Sequence, residues 1–278
     1  MDEGDEHRGM RAPLETYTHG HAESVLRSHV WRTVDNSAAY LVRQLRPGLQ
    51  VLDVGCGPGT ITVDLARRVA PGRVLGVEPV EEPLAHARAA AREAGVDNVE
   101  FALGDVYALD APDATFDVVH AHQVLQHLRD PVAALREMVR VTRPGGVVAA
   151  RDGDYAGMMW WPADPRLDRW LDIYRAIARG NGGEPDAGRR LLGWAHAAGV
   201  TNVEPGASVW CHATPADRAW WGGLWAERIV HSAIAGQAVA GGYASQAELE
   251  DISAGWRDWA GHPDGWFTVP HGELLCHV

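Results

Sequence analysis

The chain has 278 residues, is 46% hydrophobic and carries a formal net charge of −12. This length suffices for a large buried core, and the acidic balance disfavours a nucleic-acid partner, which would favour a basic surface. No apolar segment approaches the ~18 residues of a membrane-spanning helix, so no membrane partner is expected.

The N-terminal segment is predicted to change from disorder to helix. Residues 1–13 are polar and are expected to be disordered. Residues 16–46 carry apolar side chains at helical spacing, and Pro47-Gly48 then indicates a turn. Tyr17 and Arg32 lie on this predicted helix.

A glycine-rich turn follows the first predicted strand, residues 50–54. Glycines occupy alternate positions, Gly55, Gly57 and Gly59, before a predicted helix over 61–69. Glycine permits positive φ and a close approach of a ligand to the backbone. The spacing differs from the Gly-x-Gly-x-x-Gly of dinucleotide sites and favours S-adenosylmethionine (SAM). Asp53 can meet a cationic ligand beside this turn.

Acidic residues follow the next two predicted strands. The strand over 74–78 ends at Glu78, where a ribose-binding acid is expected, and a helix over 81–94 comes next. After the strand over 99–103, Asp105 can accept from an adenine amino group. Strands over 116–121 and 147–152 flank a helix over 132–141. Alternating strands and helices predict one doubly wound parallel sheet.

Together these motifs resemble those of the class I SAM-dependent methyltransferases. Residues 116–121, 124–128 and 143–146 extend the match, which is close over residues 15–155. The resemblance implies a Rossmann-like, seven-stranded, mostly parallel sheet, with SAM as cofactor and S-adenosylhomocysteine as product. It implies cofactor contacts from Asp53, Gly55, Cys56, Gly57, Gly59, Glu78, Pro79, Asp105, Val106, His120 and Arg32. Cys56 is expected to be a packed small residue, and Arg32 either binds the cofactor carboxylate or is solvated.

The second half is rich in tryptophan, since eleven of the twelve tryptophans follow residue 155. Helices are predicted over 165–178, 186–198, 215–235 and 246–260, and strands over 203–213 and 266–278. Residues 14–155 are therefore predicted to form the cofactor-binding core with its lid helix. Residues 156–278 are predicted to supply a helical cap inserted after strand five, and the last two strands of the same sheet.

Candidate residues for the chemistry lie near the predicted strand ends. His122, His127, Asp154 and Tyr17 are candidates for handling a proton, with a structural role as the alternative for each. No metal site is expected, because His120 and His122 have no further ligands at fitting spacing. The predicted acceptor contacts are Trp160, Trp161, Trp221 and Trp225, because aromatic rings offer flat stacking surfaces.

Residues 122–128 and the Glu78-Pro79 pair are similar to the ubiquinone/menaquinone C-methyltransferase-like group, which methylates electron-rich ring carbons. Actinobacterial relatives include indole C3-methyltransferases acting on tryptophan-derived cyclic dipeptides. The favoured function is therefore C-methylation of a small aromatic acceptor, such as indole C3, in secondary metabolism. Phenol O-methylation, quinol C-methylation and SAM binding without transfer remain alternatives.

Cysteine and lysine usage restricts the setting and the chemistry. Three widely spaced cysteines fit a reduced, cytoplasmic protein. The 25 basic residues are all arginine, which excludes Schiff-base chemistry. The sequence leaves open whether the chain is a monomer or a homodimer.

Overall fold

A computed structural model describes residue 18 and residues 23–278. Tyr17 and the predicted disordered segment 1–13 lie outside the described residues. Eight strands form one sheet, and they are β1 (Gln50–Val54), β2 (Arg73–Glu78), β3 (Val99–Leu103), β4 (Phe116–His122), β5 (Thr142–Gly153), β6 (Met159–Trp161), β7 (Val203–His212) and β8 (Trp266–His277). The described helices are α1 (Glu23–Val30), α2 (Val34–Ser37), α3 (Thr60–Val69), α4 (Glu81–Glu93), α5 (Pro131–Val141), α6 (Pro165–Gly180), α7 (Leu191–Ala197), α8 (Pro215–His231), α9 (Ala233–Ala240) and α10 (Gln246–Gly261).

The sheet confirms the predicted Rossmann-like fold. Strands β3, β2, β1, β4 and β5 lie side by side in parallel, and β8 continues the sheet as an antiparallel strand. β8 pairs with β7 along its other edge. The chain order reverses between β1 and β4, and open parallel sheets bind ligands at the carboxyl ends of strands beside such a reversal.

The structure adds one short strand to the seven predicted. β6 pairs with residues 266–268 of β8, on the edge that β5 occupies from His271 onward. A 3-10 turn over Tyr155–Gly157 separates β5 from β6. The turn begins at Asp154, whose carboxylate accepts from the Gly157 amide, so the break has a local cause.

Three predicted helices are divided, and the one predicted over 186–198 begins as a 3-10 helix (Ala187–Arg190) before α7. The segment predicted as one helix over 16–46 contains α1, α2 and a 3-10 helix (Ala39–Gln44). Thr33 and Asn36 form a reciprocal capping box that starts α2 anew. The helix predicted over 215–235 likewise divides at Ser232, whose hydroxyl accepts from the Ile234 amide and caps α9.

The cap has two origins in the chain. α6 follows β5 and the short strand β6, and α8, α9 and α10 lie between β7 and β8, where the helices over 215–235 and 246–260 were predicted. Its core is aromatic, and Trp170, Trp225 and Trp256 are among its fully buried side chains. Within the described part of the chain, no helix combines the length and apolar character needed to cross a membrane.

Candidate active site

A cavity of about 1580 Å³ opens at the carboxyl ends of β1, β2, β3 and β4 and reaches beneath the cap. A drug-sized ligand site occupies roughly 300–1,000 Å³, so this cavity has room for a cofactor and an acceptor together. The predicted cofactor contacts that line it are Arg32, Asp53, Gly55, Cys56, Gly57, Glu78, Pro79, Asp105 and Val106. Gly59 and His120 are not part of this lining.

The glycine turn brings backbone close to the cavity. Gly55 has φ +66°, and a Cβ there would overlap the Val124 side chain. Gly59 has φ +81°, and a Cβ there would come 2.7 Å from the Ala87 Cβ. The absence of a Cβ at Gly59 therefore lets the start of α3 pack closely against α4, and Gly59 contacts α4 instead of lining the cavity. Burial raises the pKa of the Cys56 thiol, which favours the packed role predicted for that residue.

Glu78 lies at the end of β2 and faces the cavity. One carboxylate oxygen accepts from the Gly57 amide at 3.2 Å. Burial raises the pKa of this carboxyl from 4.5 to about 7. A desolvated carboxylate beside the glycine turn can accept from two hydroxyl groups, so its chemistry fits a ribose.

Asp53 and His120 form a buried pair beneath the turn. The Asp53 carboxylate lies 2.7 Å from His120 Nδ1 and accepts from the Thr62 hydroxyl at 2.6 Å. Because both oxygens have protein partners, the structure favours an anchoring role for Asp53 over a direct contact with the cofactor ammonium. His120 is fully buried and lies off the cavity wall, which argues against the direct cofactor contact expected of it.

Asp105 and Val106 follow β3 and line the same cavity. An Asp105 oxygen accepts from the Tyr107 amide at 2.9 Å, which orients the carboxylate at the strand end. Asp105, Glu78 and the glycine turn thus follow the sheet order β3, β2, β1. A cofactor with adenine, ribose and amino-acid parts would span these strand ends in that order and reach β4 with its amino-acid part.

Two of the predicted proton-handling histidines face the cavity. His122 is 6% exposed, and its two ring nitrogens have no hydrogen-bond partner among the described residues. Burial lowers its pKa well below the usual 6.5, and the Arg32 and Arg151 cations lower it further. His127 lies in the 3-10 turn after β4, and burial, aided by Arg32, lowers its pKa to about 3. Both imidazoles are neutral near neutral pH.

Asp154 is not on the cavity wall, contrary to the expectation that it handles a proton. Both of its oxygens accept from the Arg189 guanidinium at 2.6 Å, and one caps the turn after β5. The bend between β5 and β6 directs the carboxylate toward Arg189. This ion pair indicates a structural role.

The four predicted acceptor tryptophans divide into two pairs. Trp221 and Trp225, on α8, line the cavity. Trp160 stacks on Phe267 at 5.7 Å, and Trp161 is 60% exposed on β6, so neither reaches the wall. Their separation follows from β6, which carries both tryptophans along the far end of β8.

Sequence reasoning missed part of the aromatic wall. Three further tryptophans line the cavity, Trp31 between α1 and α2, Trp210 on β7 and Trp220 on α8. The ring of Trp31 lies 5.2 Å from those of both Trp210 and Trp220. Side chains alternate along a strand, so Trp210 lies on the same face of β7 as Ser208. The sequence contains this alternation, but only the pairing of β7 with β8 shows which face is turned to the cavity.

Sequence reasoning also missed Gln123, which lies within the 122–128 motif but was not predicted as a site residue. It follows β4 with φ +54° and lines the cavity. Its side-chain oxygen accepts from the Arg32 guanidinium at 2.5 Å. Left-handed backbone is uncommon for a residue with a Cβ, and such positions cluster at functional sites. In the described residues, no three His, Cys, Asp or Glu side chains are grouped as a metal site.

Comparison with known proteins agrees with this geometry. Residues 45–197 match the family model described as a methyltransferase domain. An uncharacterized methyltransferase of Schizosaccharomyces pombe is 36% identical over 268 residues, covering 93% of this chain and 95% of its own. A ubiquinone/menaquinone biosynthesis C-methyltransferase of Bdellovibrio bacteriovorus is 38% identical over 122 residues, covering 43% of this chain and 49% of its own.

A solved structure extends the comparison to the fold. The phosphoethanolamine N-methyltransferase 2 of Haemonchus contortus, in complex with phosphomonomethylethanolamine and S-adenosylhomocysteine, is 18% identical. It superposes with a TM-score of 0.55 over 87% of this chain and 52% of that one. Taken with the glycine turn and the Glu78 carboxylate, these matches show that the chain belongs to the methyltransferase-domain family and is a class I SAM-dependent methyltransferase.

Proposed function

We propose that the acceptor is a small aromatic molecule and that an electron-rich ring carbon, such as indole C3 of a tryptophan-derived cyclic dipeptide, receives the methyl group. The observation that carries the proposal is the position of His122. His122 lines the cavity, neither of its buried ring nitrogens has a hydrogen-bond partner among the described residues, and its ring lies 5.8 Å from that of Trp210. A buried polar group of this kind is unfavourable unless a ligand satisfies it.

The aromatic wall supports a flat acceptor. The ring of Trp31 lies 5.2 Å from those of both Trp210 and Trp220, and Trp221 and Trp225 continue the wall on α8. Aromatic faces stack on rings and also attract cations, at roughly 0.5–2 kcal/mol for each contact. An indole alkylated at C3 becomes an iminium cation, so such faces would stabilise the charge that develops on the acceptor.

The low pKa of His122 bears on which atom is methylated. S-adenosylmethionine, when bound, supplies an electrophilic methyl group. An imidazole that burial keeps neutral is a weak base. A phenol, with a pKa near ~10, would need a stronger base to become a nucleophile, whereas the iminium product gives up its N–H proton readily. His122 therefore suits proton removal after methylation and favours C-methylation over phenol O-methylation.

Roles for the other candidates follow from their positions. His127 lines the cavity beside the β4 end and is proposed to orient the acceptor or accept its proton. Glu78, Asp105 and Arg32 are proposed to bind the ribose, adenine and carboxylate of the cofactor. Tyr17 stays a prediction, as do the cytoplasmic location, the setting in secondary metabolism and the choice between monomer and homodimer.

The test uses methyl-labelled SAM with matched acceptor classes: tryptophan-derived cyclic dipeptides, simple indoles, quinols and phenols. Mass spectrometry of the products shows which class is labelled and whether carbon or oxygen carries the label. A labelled cyclic dipeptide with the label on indole carbon is the expected result. Label on a phenol oxygen, with the indoles unlabelled, would contradict the proposal.

A further inference from the structure

The residue after β4, Gln123, joins three elements through one side chain and its backbone. Its amide oxygen accepts from Arg32 in the turn between α1 and α2, and its amide nitrogen lies 2.8 Å from His271 Nε2 on β8. Its backbone amide donates to the Arg151 carbonyl on β5 at 2.7 Å. The positive φ of Gln123 is retained although such backbone is unfavourable for a residue with a Cβ.

The orientation of the Gln123 amide follows from its partners. His271 Nδ1 lies 2.9 Å from the Val269 carbonyl oxygen, which can only accept, so Nδ1 carries the proton. Burial, followed by the Arg151 and Arg32 cations, lowers the pKa of His271 well below 6.5, so the ring is neutral. Nε2 must then accept from the Gln123 NH₂ group. That contact turns the amide oxygen toward Arg32.

The position of Arg32 relative to the cofactor follows from the sheet order. The proposed adenine and ribose contacts lie at the ends of β3 and β2, and the glycine turn follows β1. The amino-acid part of the cofactor would therefore lie toward β4, the strand that Gln123 follows. The next residue, Val124, lies so close to Gly55 that a Cβ on Gly55 would overlap the Val124 side chain. Arg32 reaches this end of the cavity from the turn between α1 and α2.

We propose that Gln123 is a positioning residue, which holds the Arg32 guanidinium toward the cofactor carboxylate, with neutral His271 setting the direction of its amide. The inference rests on the cofactor role proposed for Arg32 and is independent of the acceptor. It predicts that the loss of Gln123 harms only ligands that carry the amino-acid carboxylate. A residue that merely supported the fold would affect every adenosine ligand alike.

The experiment measures calorimetric affinities of two ligands for the full chain. S-adenosylhomocysteine has the carboxylate, and methylthioadenosine shares its adenosine thioether but lacks the amino-acid group. Gln123→Met keeps the side-chain length and removes both hydrogen bonds. We expect it to weaken S-adenosylhomocysteine binding roughly 10-fold, the scale of one hydrogen bond to a charged group, and to leave methylthioadenosine within about 2-fold.

A double-mutant cycle tests whether the effect passes through Arg32. In an Arg32→Ala background, Gln123→Met should cause no further loss of S-adenosylhomocysteine affinity. Gln246→Met, on the exposed surface of α10, is the matched control and should change neither affinity. Equal weakening of both ligands, or an undiminished effect in the Arg32→Ala background, would overturn the proposal.

A second variant covers the case in which Gln123→Met does not fold. Gln123→Asn keeps an amide and is better accommodated at positive φ, but it is too short to reach both Arg32 and His271. The same selective loss of S-adenosylhomocysteine affinity is expected. Neither ligand carries an acceptor group, so failure of the labelled-methyl assay and failure of this inference are separate outcomes.

Discussion

The two ends of the cavity are built in different ways. At the cofactor end, the wall comes from short segments that each follow one of four neighbouring parallel strands, and the chemistry lies within a few residues of each strand end. At the acceptor end, the ring of Trp31 meets those of Trp210 and Trp220, which lie on β7 and α8 in the second half of the chain. Local motifs therefore describe the first end, whereas the second is a product of packing.

The difference between the two ends of the cavity predicts that the largest loss of activity comes from a substitution where the acceptor meets the strand ends. His122→Asn should lower kcat by roughly 10²–10⁴-fold, because it removes the imidazole proposed to take the proton. S-adenosylhomocysteine affinity, measured by calorimetry, should stay near the wild-type value. His196→Asn, on the exposed side of α7, is the matched control. A kcat within a few-fold of wild type would make His122 structural.

Most of the aromatic residues in the cap should serve stability instead of binding. Trp170 is fully buried and packs edge-on against Trp225 at 4.5 Å and Trp256 at 4.9 Å. Trp170→Ala should lower the free energy of unfolding by about 3–5 kcal/mol, since it leaves a large cavity. Denaturant titration measures this loss. A cost below 1 kcal/mol would mean that the cap core tolerates the gap.

The cofactor end offers a smaller and more selective effect. Glu78→Gln should weaken S-adenosylhomocysteine binding by about 1–3 kcal/mol, because an amide cannot accept from two ribose hydroxyls as a carboxylate does. Calorimetry with deoxyribose analogues supplies the control, since these ligands should lose less on mutation. Unchanged affinity for the ribose ligand would remove Glu78 from the ribose site.

The raised pKa of Glu78 also predicts that the stability of the ligand-free protein depends on pH. Burial raises the Glu78 pKa from 4.5 to about 7. Between these two pH values the folded protein keeps a proton on Glu78, whereas the unfolded chain has released it. The unfolded state then binds fewer protons, and stability falls as pH rises through this range. Glu78→Gln should therefore gain roughly 1–3 kcal/mol of stability at about pH 8, and less toward pH 4. A Tm gain independent of pH would contradict this account.

The smallest expected effect separates tryptophans of the wall from those outside it. Trp221→Leu should raise the acceptor KM by an amount corresponding to about 0.5–1.5 kcal/mol, the value of one aromatic contact. Trp161→Leu, at an exposed position, should change neither KM nor stability by more than about 0.5 kcal/mol. Steady-state kinetics with methyl-labelled SAM measures the acceptor KM of both variants, and denaturant titration measures their stability. Equal effects from the two variants would place the acceptor elsewhere.

The order of strands and helices in the first half could be predicted because each element has its own local signal. The strand predicted over 74–78 is Arg73–Glu78, and the helix predicted over 81–94 is Glu81–Glu93. The prediction of one long helix over 16–46 was wrong. The helical spacing of apolar residues continues past Thr33, although Thr33 is the N-cap at which α2 begins. Periodicity reports which side is buried, but a capping box can restart the helix without disturbing that pattern.

The sequence by itself determined the order of strands and helices in the first half, the glycine turn and the identity of the acids at the strand ends, because these depend on residues that are neighbours in the chain. Only the tertiary structure decided that Asp154 pairs with Arg189, that Trp160 and Trp161 lie away from the cavity, and that Gln123 joins Arg32 to His271. Each of these depends on a partner far away in sequence. The direction of a side chain is set by which partner strand and helix pack against it, and local residue patterns do not contain that information.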